Sequence, residues 1–91
     1  MSEHKMLIGS LSNDLNRVAT LSHRGSYEAA EKFWKQAQIW VNCLKSHQNK
    51  PNIENIIDTL AKDEFSPTDS AVAEKNLMYS ILLQNYTLSL E

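Results

Sequence analysis

The sequence predicts an all-α fold: a small four-helix domain whose first two helices form an antiparallel hairpin. Apolar residues return at steps of three and four over most of the 91-residue chain, and this spacing places side chains on one face of a helix. Only two glycines and two prolines interrupt the pattern. No segment alternates apolar and polar residues as a strand does. Because a chain of this length has room for one hydrophobic core, residues 1–91 are expected to form a single domain.

The first helix is predicted between Met6 and Leu21, where the apolar residues share one helical face. Gly9 lowers helix propensity by about 1 kcal/mol relative to alanine, so the ordered helix is expected to begin near Ser12. Gly25 follows its end and suits the left-handed backbone that commonly closes a helix. The apolar face of this helix consists of Leu7, Leu11, Leu15, Val18 and Leu21.

The second helix is predicted from an N-cap at Ser26 to about His47, because Pro51 disfavours helical geometry in the residue before it. Phe33 and Trp40 lie to one side of its apolar face. Aromatic side chains at such a margin are typical of binding hot spots, although simple widening of the buried face is the alternative. The apolar face itself consists of Tyr27, Ala30, Trp34, Ala37, Val41 and Leu44.

Two further helices are predicted in the second half of the chain. Asn52 is the expected cap of a short third helix, whose inward side chains are Ile53, Ile56, Ile57 and Leu60. The fourth helix is expected to run from Pro67 to about Leu88, with Ser66 as its cap and Asp69 completing a variant of the capping box.

The fourth helix carries apolar residues on two nearly opposite sides. One stripe consists of Val72, Tyr79, Leu83, Tyr86 and Leu90, and the other of Leu77, Ile81 and Leu88. A helix that is apolar on both sides needs cover on both, and three other helices in so short a chain can hardly supply it. The second stripe is therefore predicted to bind a partner, which is either another protein or a second copy of the chain.

The charge is unevenly distributed. Residues 17–50 have a net charge of +4 and residues 51–91 a net charge of −5. Such asymmetry can mark a nucleic-acid face, or it can let two parts of one fold or two subunits attract each other. The candidate nucleic-acid contacts are Arg17, Arg24, Lys32 and Lys35. The low isoelectric point and the glutamates beside the lysines, Glu28 and Glu31, argue against direct DNA binding.

The spacing of Gly25, Tyr27, Ala30, Trp34 and Ala37 resembles two known families. Residues 11–44 resemble small bacterial regulators of the ANR and PerC type, which share a helix, a Gly-x-Tyr-x-x-Ala turn, a Trp seven residues after the Tyr and a later Ala. The same residues resemble, more weakly, the second helix of a tetratricopeptide hairpin. The first resemblance implies a bacterial regulator without enzymatic activity that acts on transcription through nucleoid or other DNA-binding proteins, or by touching DNA itself.

No constellation of catalytic, metal-binding or phosphate-binding residues stands out. The three histidines are far apart, and Cys43 with His47 supplies only two possible metal ligands. No Gly-x-Ser-x-Gly elbow or glycine-rich phosphate loop is present. We therefore expect neither an enzyme nor a cofactor nor a bound metal. The single cysteine and the lack of a secretory leader or membrane-spanning run favour a cytoplasmic protein.

The leading hypothesis is therefore a non-catalytic regulatory or adaptor protein that forms a dimer or binds a partner. Its predicted contact residues are Phe33, Trp40, Leu77, Ile81 and Leu88. The alternative is a DNA-contacting transcriptional regulator that uses the basic segment 17–50, and the third possibility is an enzyme subunit that is inactive alone.

Overall fold

The computed structural model describes residues 3–89 and confirms the all-α fold class. Within that range there is no strand, and the helices number four. Their bounds are Glu3–His23 (α1), Tyr27–Lys45 (α2), Pro51–Lys62 (α3) and Ser70–Ser89 (α4). Helix α1 packs against both α2 and α4, and α3 packs against α2. The order across the bundle is therefore α4, α1, α2 and α3.

Helix α1 is the central helix and is buried on two faces. The predicted face lies in the core, with Leu21 partly buried at its end. A second buried face of α1 consists of Ile8, Ser12, Ala19 and Ser22. The prediction that α1 begins near Ser12 was wrong, because it begins at Glu3. Burial of Leu7 and Ile8, which directly precede Gly9, stabilises this first part more than the glycine weakens it.

The turn between α1 and α2 closes as predicted around Gly25, whose φ is +82°. The Ser26 amide donates to the Leu21 carbonyl at 2.9 Å, and the Gly25 amide donates to the Ser22 carbonyl at 3.1 Å. These two bonds form a Schellman motif, which reverses the chain and sets α2 beside α1. Ser26 occupies the predicted N-cap position, but the predicted hydrogen bond from the first turn of α2 to its side chain is not formed.

Replacing the two glycines with alanine should change stability in opposite directions. Gly25→Ala places a Cβ on a left-handed residue and is expected to destabilise the fold by about 1–2 kcal/mol. Gly9→Ala acts inside α1 and should stabilise it by about 0.5–1 kcal/mol. The added Cβ meets no atom within 4 Å at either position, so backbone conformation alone decides the sign. Urea unfolding measures both, and two changes of equal sign would contradict this account.

Helix α2 packs between α1 and α3 and buries its apolar face in the core. Its predicted apolar face is buried from Ala30 to Leu44, but the first member, Tyr27, is 43% exposed. The residue stands in the first turn of α2, beyond the part of the helix that contacts the core. On the other side of α2, the Gln38 Nε2 donates to the Leu60 carbonyl at 3.2 Å. The Trp34 ring lies 6.5 Å from the ring of Phe65, which follows α3.

The predicted starts of α3 and α4 require correction. Helix α3 begins at Pro51 and is preceded by Lys50, so Asn52 is not its cap. Proline suits the first helical turn because its missing N–H is not needed there. Helix α4 begins at Ser70 rather than Pro67. The carboxylate of Asp69 accepts the amides of Ala71 and Val72 at 2.9 and 3.4 Å, which makes Asp69 the cap.

Polar and aromatic side chains join three segments at the far end of the bundle. The Nε2 of His4 in α1 lies 2.7 Å from Oδ1 of Asn49 in the loop before α3. The His4 ring stacks on His47 with centroids 5.5 Å apart and meets the edge of Tyr86 from α4 at 6.3 Å. Lys50 lies over the Tyr86 ring at 5.7 Å. This cluster holds the start of α1 and the end of α4 to the α2–α3 loop.

Candidate functional site

The face of α4 that packs against α1 is largely polar. Its buried residues are Asn76, Ser80, Leu83 and Thr87. The hydroxyl of Ser12 in α1 donates to the Ser80 carbonyl at 2.7 Å, so small polar side chains fill much of the contact. A soluble helix usually turns its apolar side to the core. Here Leu83 is the one large apolar side chain that α4 buries fully, and Tyr79 and Tyr86 of the same predicted stripe pack partly buried against the core.

The opposite side of α4, here called the α4 outer face, is apolar and exposed. Among the described residues, five of the eight exposed large hydrophobic side chains belong to this one helix. Exposed hydrophobic residues are normal when scattered singly, but a contiguous group marks an interaction surface. Steps of three and four make most of these side chains neighbours on the helix surface. The α4 outer face consists of Leu77, Met78, Ile81, Leu82 and Leu88.

The predicted contact residues of α4 all lie on this face. Leu77, Ile81 and Leu88 are exposed, so the chain leaves the second predicted stripe uncovered. Sequence reasoning missed Met78 and Leu82, which widen the face. Each directly follows a predicted contact residue, and a 100° step per residue was signal enough to include them. Leu90, assigned to the opposite stripe, lies outside the described residues.

Charge is almost absent from α4. Glu74 and Lys75 are its only charged residues between Ser70 and Ser89. Lys75 turns away from the outer face and its Nζ lies 2.8 Å from the Asp63 carboxylate at the end of α3. The hydrogen bond to Asp63 raises the pKa of Lys75 above its ordinary value. Glu74 is therefore the one charged residue that α4 itself contributes beside the outer face, which suits an apolar partner surface and not an anionic one.

A groove of about 580 Å³ continues this face at the start of α4. The groove lies between the end of α1, the first turn of α2 and the first half of α4. Leu77 belongs both to the groove and to the α4 outer face, so the two form one surface. The exposed ring of Tyr27 forms part of the opposite wall. Arg24 and Glu74 also line the groove, and its apolar lining is made by Ala19, Tyr27, Pro67, Ala73 and Leu77.

Phe33 and Trp40, the other two predicted contact residues, lie apart from α4 and are half-buried against the core. The Nε1 of Trp40 donates to Oδ2 of Asp14 in α1 at 2.7 Å. The guanidinium of Arg17 lies over the Phe33 ring at 5.3 Å. Both aromatic side chains therefore help to join α1 to α2. We include neither in the α4 outer face, and their partner-binding role stays a prediction.

Asp14 is a carboxylate buried between the first two helices. Burial raises the pKa of Asp14 above its ordinary value of 3.8, while the hydrogen bond from Trp40 and the charge of Arg17 lower it. Because burial is the largest of these effects, ionisation of Asp14 opposes folding. The Trp40 indole reduces that penalty by binding the charged form. The pair is a structural contact at the α1–α2 interface, far along the chain from the α4 outer face.

The predicted basic residues do not all meet. Arg17 and Arg24 line one open groove along α1, which Phe33 of α2 and Gln84 of α4 also border. Lys32 lines a separate shallow pocket at the start of α2, together with Gly25. Lys35 is exposed and pairs with Glu31, one turn earlier, at 3.2 Å. The arginines are thus brought together, and the lysines are not.

The histidines and the cysteine make no assembled chemical site. Cys43 is exposed, and Nδ1 of His47 donates to the Cys43 backbone carbonyl at 3.1 Å. No group of three His, Cys, Asp or Glu side chains between residues 3 and 89 is arranged to hold a metal ion. In the same range, none of the helices combines the length and apolar character needed to cross a bilayer.

Comparison of the chain with protein-family models, with curated proteins and with solved structures gave no match.

Proposed function

We propose that this protein is a non-catalytic regulatory or adaptor protein that acts by binding a protein chain through the α4 outer face. The observation that carries the proposal is the apolar side of α4 that the chain leaves uncovered. The most deeply buried side chains of α4 include Asn76, Ser80 and Thr87 beside Leu83, whereas the five large apolar side chains of the α4 outer face are exposed. Apolar surface of this kind is stabilised by removal from water at roughly 25 cal/mol per Å². A protein partner that covers it gains that free energy.

The resemblance of residues 11–44 to ANR and PerC type regulators supports a regulatory role in a bacterial cytoplasm, with transcription as the regulated process. On this proposal, the α1–α2 hairpin is the scaffold and α4 is the contact element. The residues that carry the resemblance, such as Ala30, Trp34 and Ala37, are buried. They hold the hairpin together and leave binding to surfaces elsewhere in the domain.

Site-specific photocross-linking tests the proposal in cells that make the protein. A photoreactive residue at Ile81 is expected to give a protein adduct of defined mass. The matched control is Ile39 on α2, which is 57% exposed against 52% for Ile81 but lies outside the α4 outer face. Circular dichroism of both variants checks that the fold is retained. The proposal fails if position 81 gives no protein adduct, or if position 39 gives the same one.

A second candidate function is DNA contact through the basic segment 17–50, which is favoured by the groove that Arg17 and Arg24 share. Phosphate contacts weaken steeply as salt concentration rises. A gel-shift titration on duplex DNA at low salt, repeated with Arg24→Gln, tests this candidate. Absence of binding at low salt would exclude it.

A further inference from the structure

We infer that the partner on the α4 outer face is a second copy of this chain, whose α4 packs antiparallel against the first α4. This inference rests on the proposed function and names its partner. It depends on three properties of the exposed side of α4: the register of its residues, its charge and the adjoining groove.

The register is the first property. A seam of residues runs along the exposed side of α4 at alternating steps of three and four, the pattern by which two helices pack side by side. The middle of Ser70–Ser89 lies between Tyr79 and Ser80. An antiparallel copy centred there therefore overlaps the whole helix. The seam consists of Ala71, Glu74, Met78, Ile81, Asn85 and Leu88.

This register matches apolar residues with apolar residues. Met78 of one chain lies opposite Ile81 of the other, and the two-fold axis repeats the pair. Ala71 lies opposite Leu88 at both ends of the seam, so a small side chain receives a large one. Every apolar seam residue therefore has an apolar partner in the antiparallel pair.

Charge complementarity selects this orientation. In a parallel pair, Glu74 would face the Glu74 of the other chain, and the two carboxylates would repel each other. In the antiparallel pair, Glu74 faces Asn85, whose amide can donate a hydrogen bond to the carboxylate. The two Glu74 residues are then separated by 11 residues of helix, about 16 Å, which exceeds the physiological screening length of about 8 Å. Opposed helix dipoles also favour this orientation.

The groove supplies a place for the most exposed apolar side chain of the face. Leu88 is 61% exposed and stands near the end of α4, whereas the groove lies beside the start of α4. Antiparallel pairing brings Leu88 of each copy over the other copy's groove, which Tyr27, Ala73 and Leu77 help to line. Insertion of a side chain into such a pocket is typical of interface hot spots. A two-fold pair makes this contact twice.

Sedimentation and light scattering on the purified full chain test the pairing. The wild type is expected to have twice the 10.4 kDa mass of the chain. Ile81→Glu buries a charge in the seam and should raise the dimer dissociation constant by at least about a hundredfold. Ile39→Glu is the matched control and should leave the mass unchanged. A wild-type chain that stays monomeric at millimolar concentration would overturn the inference.

Disulfide trapping tests the orientation and does not depend on a charged variant. Ala71→Cys and Leu88→Cys are made in separate chains, each with Cys43→Ser, and the chains are mixed and oxidised. Antiparallel pairing brings positions 71 and 88 within disulfide range and is expected to give mainly the mixed 71–88 product. In a parallel pair, position 71 would face position 71 and position 88 would face position 88, so each disulfide would join two copies of the same variant. That outcome, or no disulfide, would overturn the inference.

The two proposals fail separately. A monomeric purified chain whose position 81 cross-links a different protein in cells would end the self-pairing and leave the proposed function standing. A monomeric chain without any adduct at position 81 would end both.

Discussion

Leu83→Ala is expected to lower the free energy of unfolding by about 2–5 kcal/mol, the range for removing a fully buried leucine side chain. Leu83 is the one large apolar side chain that α4 buries completely, and the rest of its buried face is Asn76, Ser80 and Thr87. The cavity would open at the α1–α4 contact, where the other buried side chains of α4 are polar and cannot fill the lost volume with apolar atoms. Chemical unfolding followed by far-ultraviolet circular dichroism measures the effect.

The neighbouring leucine provides the control for this prediction. Leu82 is 45% exposed whereas Leu83 is fully buried, so Leu82→Ala should change monomer stability by less than about 0.5 kcal/mol. Both variants are best measured at a protein concentration at which the wild type is monomeric, because Leu82 belongs to the α4 outer face. Equal losses of stability for Leu82→Ala and Leu83→Ala would contradict this prediction. They would mean that α4 is rotated about its axis, so that both leucines contact α1.

Trp40→Phe is expected to destabilise the protein by about 1.5–3 kcal/mol at neutral pH, the usual contribution of a hydrogen bond to a charged group. The substitution keeps an aromatic ring but removes the indole N–H that donates to Asp14 at 2.7 Å. The buried carboxylate then loses this donor. A double-mutant cycle with Asp14→Asn separates this loss from any change in ring packing.

The loss caused by Trp40→Phe should also depend on pH. The pKa of Asp14 is raised by burial and lowered by the Trp40 hydrogen bond, so the substitution should raise it further. A carboxyl whose pKa is raised by folding opposes folding when ionised, and the stability present below its unfolded pKa is lost as pH rises through the folded pKa. The difference between wild type and Trp40→Phe should therefore grow from pH 3 to pH 7. A difference that is independent of pH would contradict this origin.

Local periodicity was enough to predict the helices and the buried face of α2. The steps of three and four from Ala30 to Leu44 place these apolar residues on a single side of the helix, and that side is buried in the structure. The turn at Gly25 was predictable for a similar reason, because glycine adopts left-handed angles at little cost and no other residue near the end of α1 does.

The errors at the helix starts have different physical causes. Propensity alone placed the start of α1 after Gly9, but burial of Leu7 and Ile8 outweighs the glycine. At α4, both Ser66 and Asp69 could cap a helix, and the choice depended on where α4 meets α1. Hydrogen bonds such as that from Ser12 to Ser80, 68 residues apart, have no local signature in the sequence.

The candidate site was predictable in outline. Two apolar stripes on one helix indicated that one of them lies outside the fold, and Leu77, Ile81 and Leu88 were correctly assigned to it. The groove beside Tyr27 was not predictable, because its walls come from α1, α2 and α4 and depend on how far apart these helices stand. Tyr27 fits the periodicity of α2, and only the depth of packing leaves it exposed.

The central position of α1 has a consequence for the order of folding. The α1–α2 turn joins neighbouring segments, so the hairpin can form early at a small entropic cost of loop closure. Docking of α4 closes a far longer loop back to α1, and apart from Leu83 the residues that α4 buries most deeply are polar. We therefore expect the last helix to dock late and to detach first, while the hairpin keeps its shape.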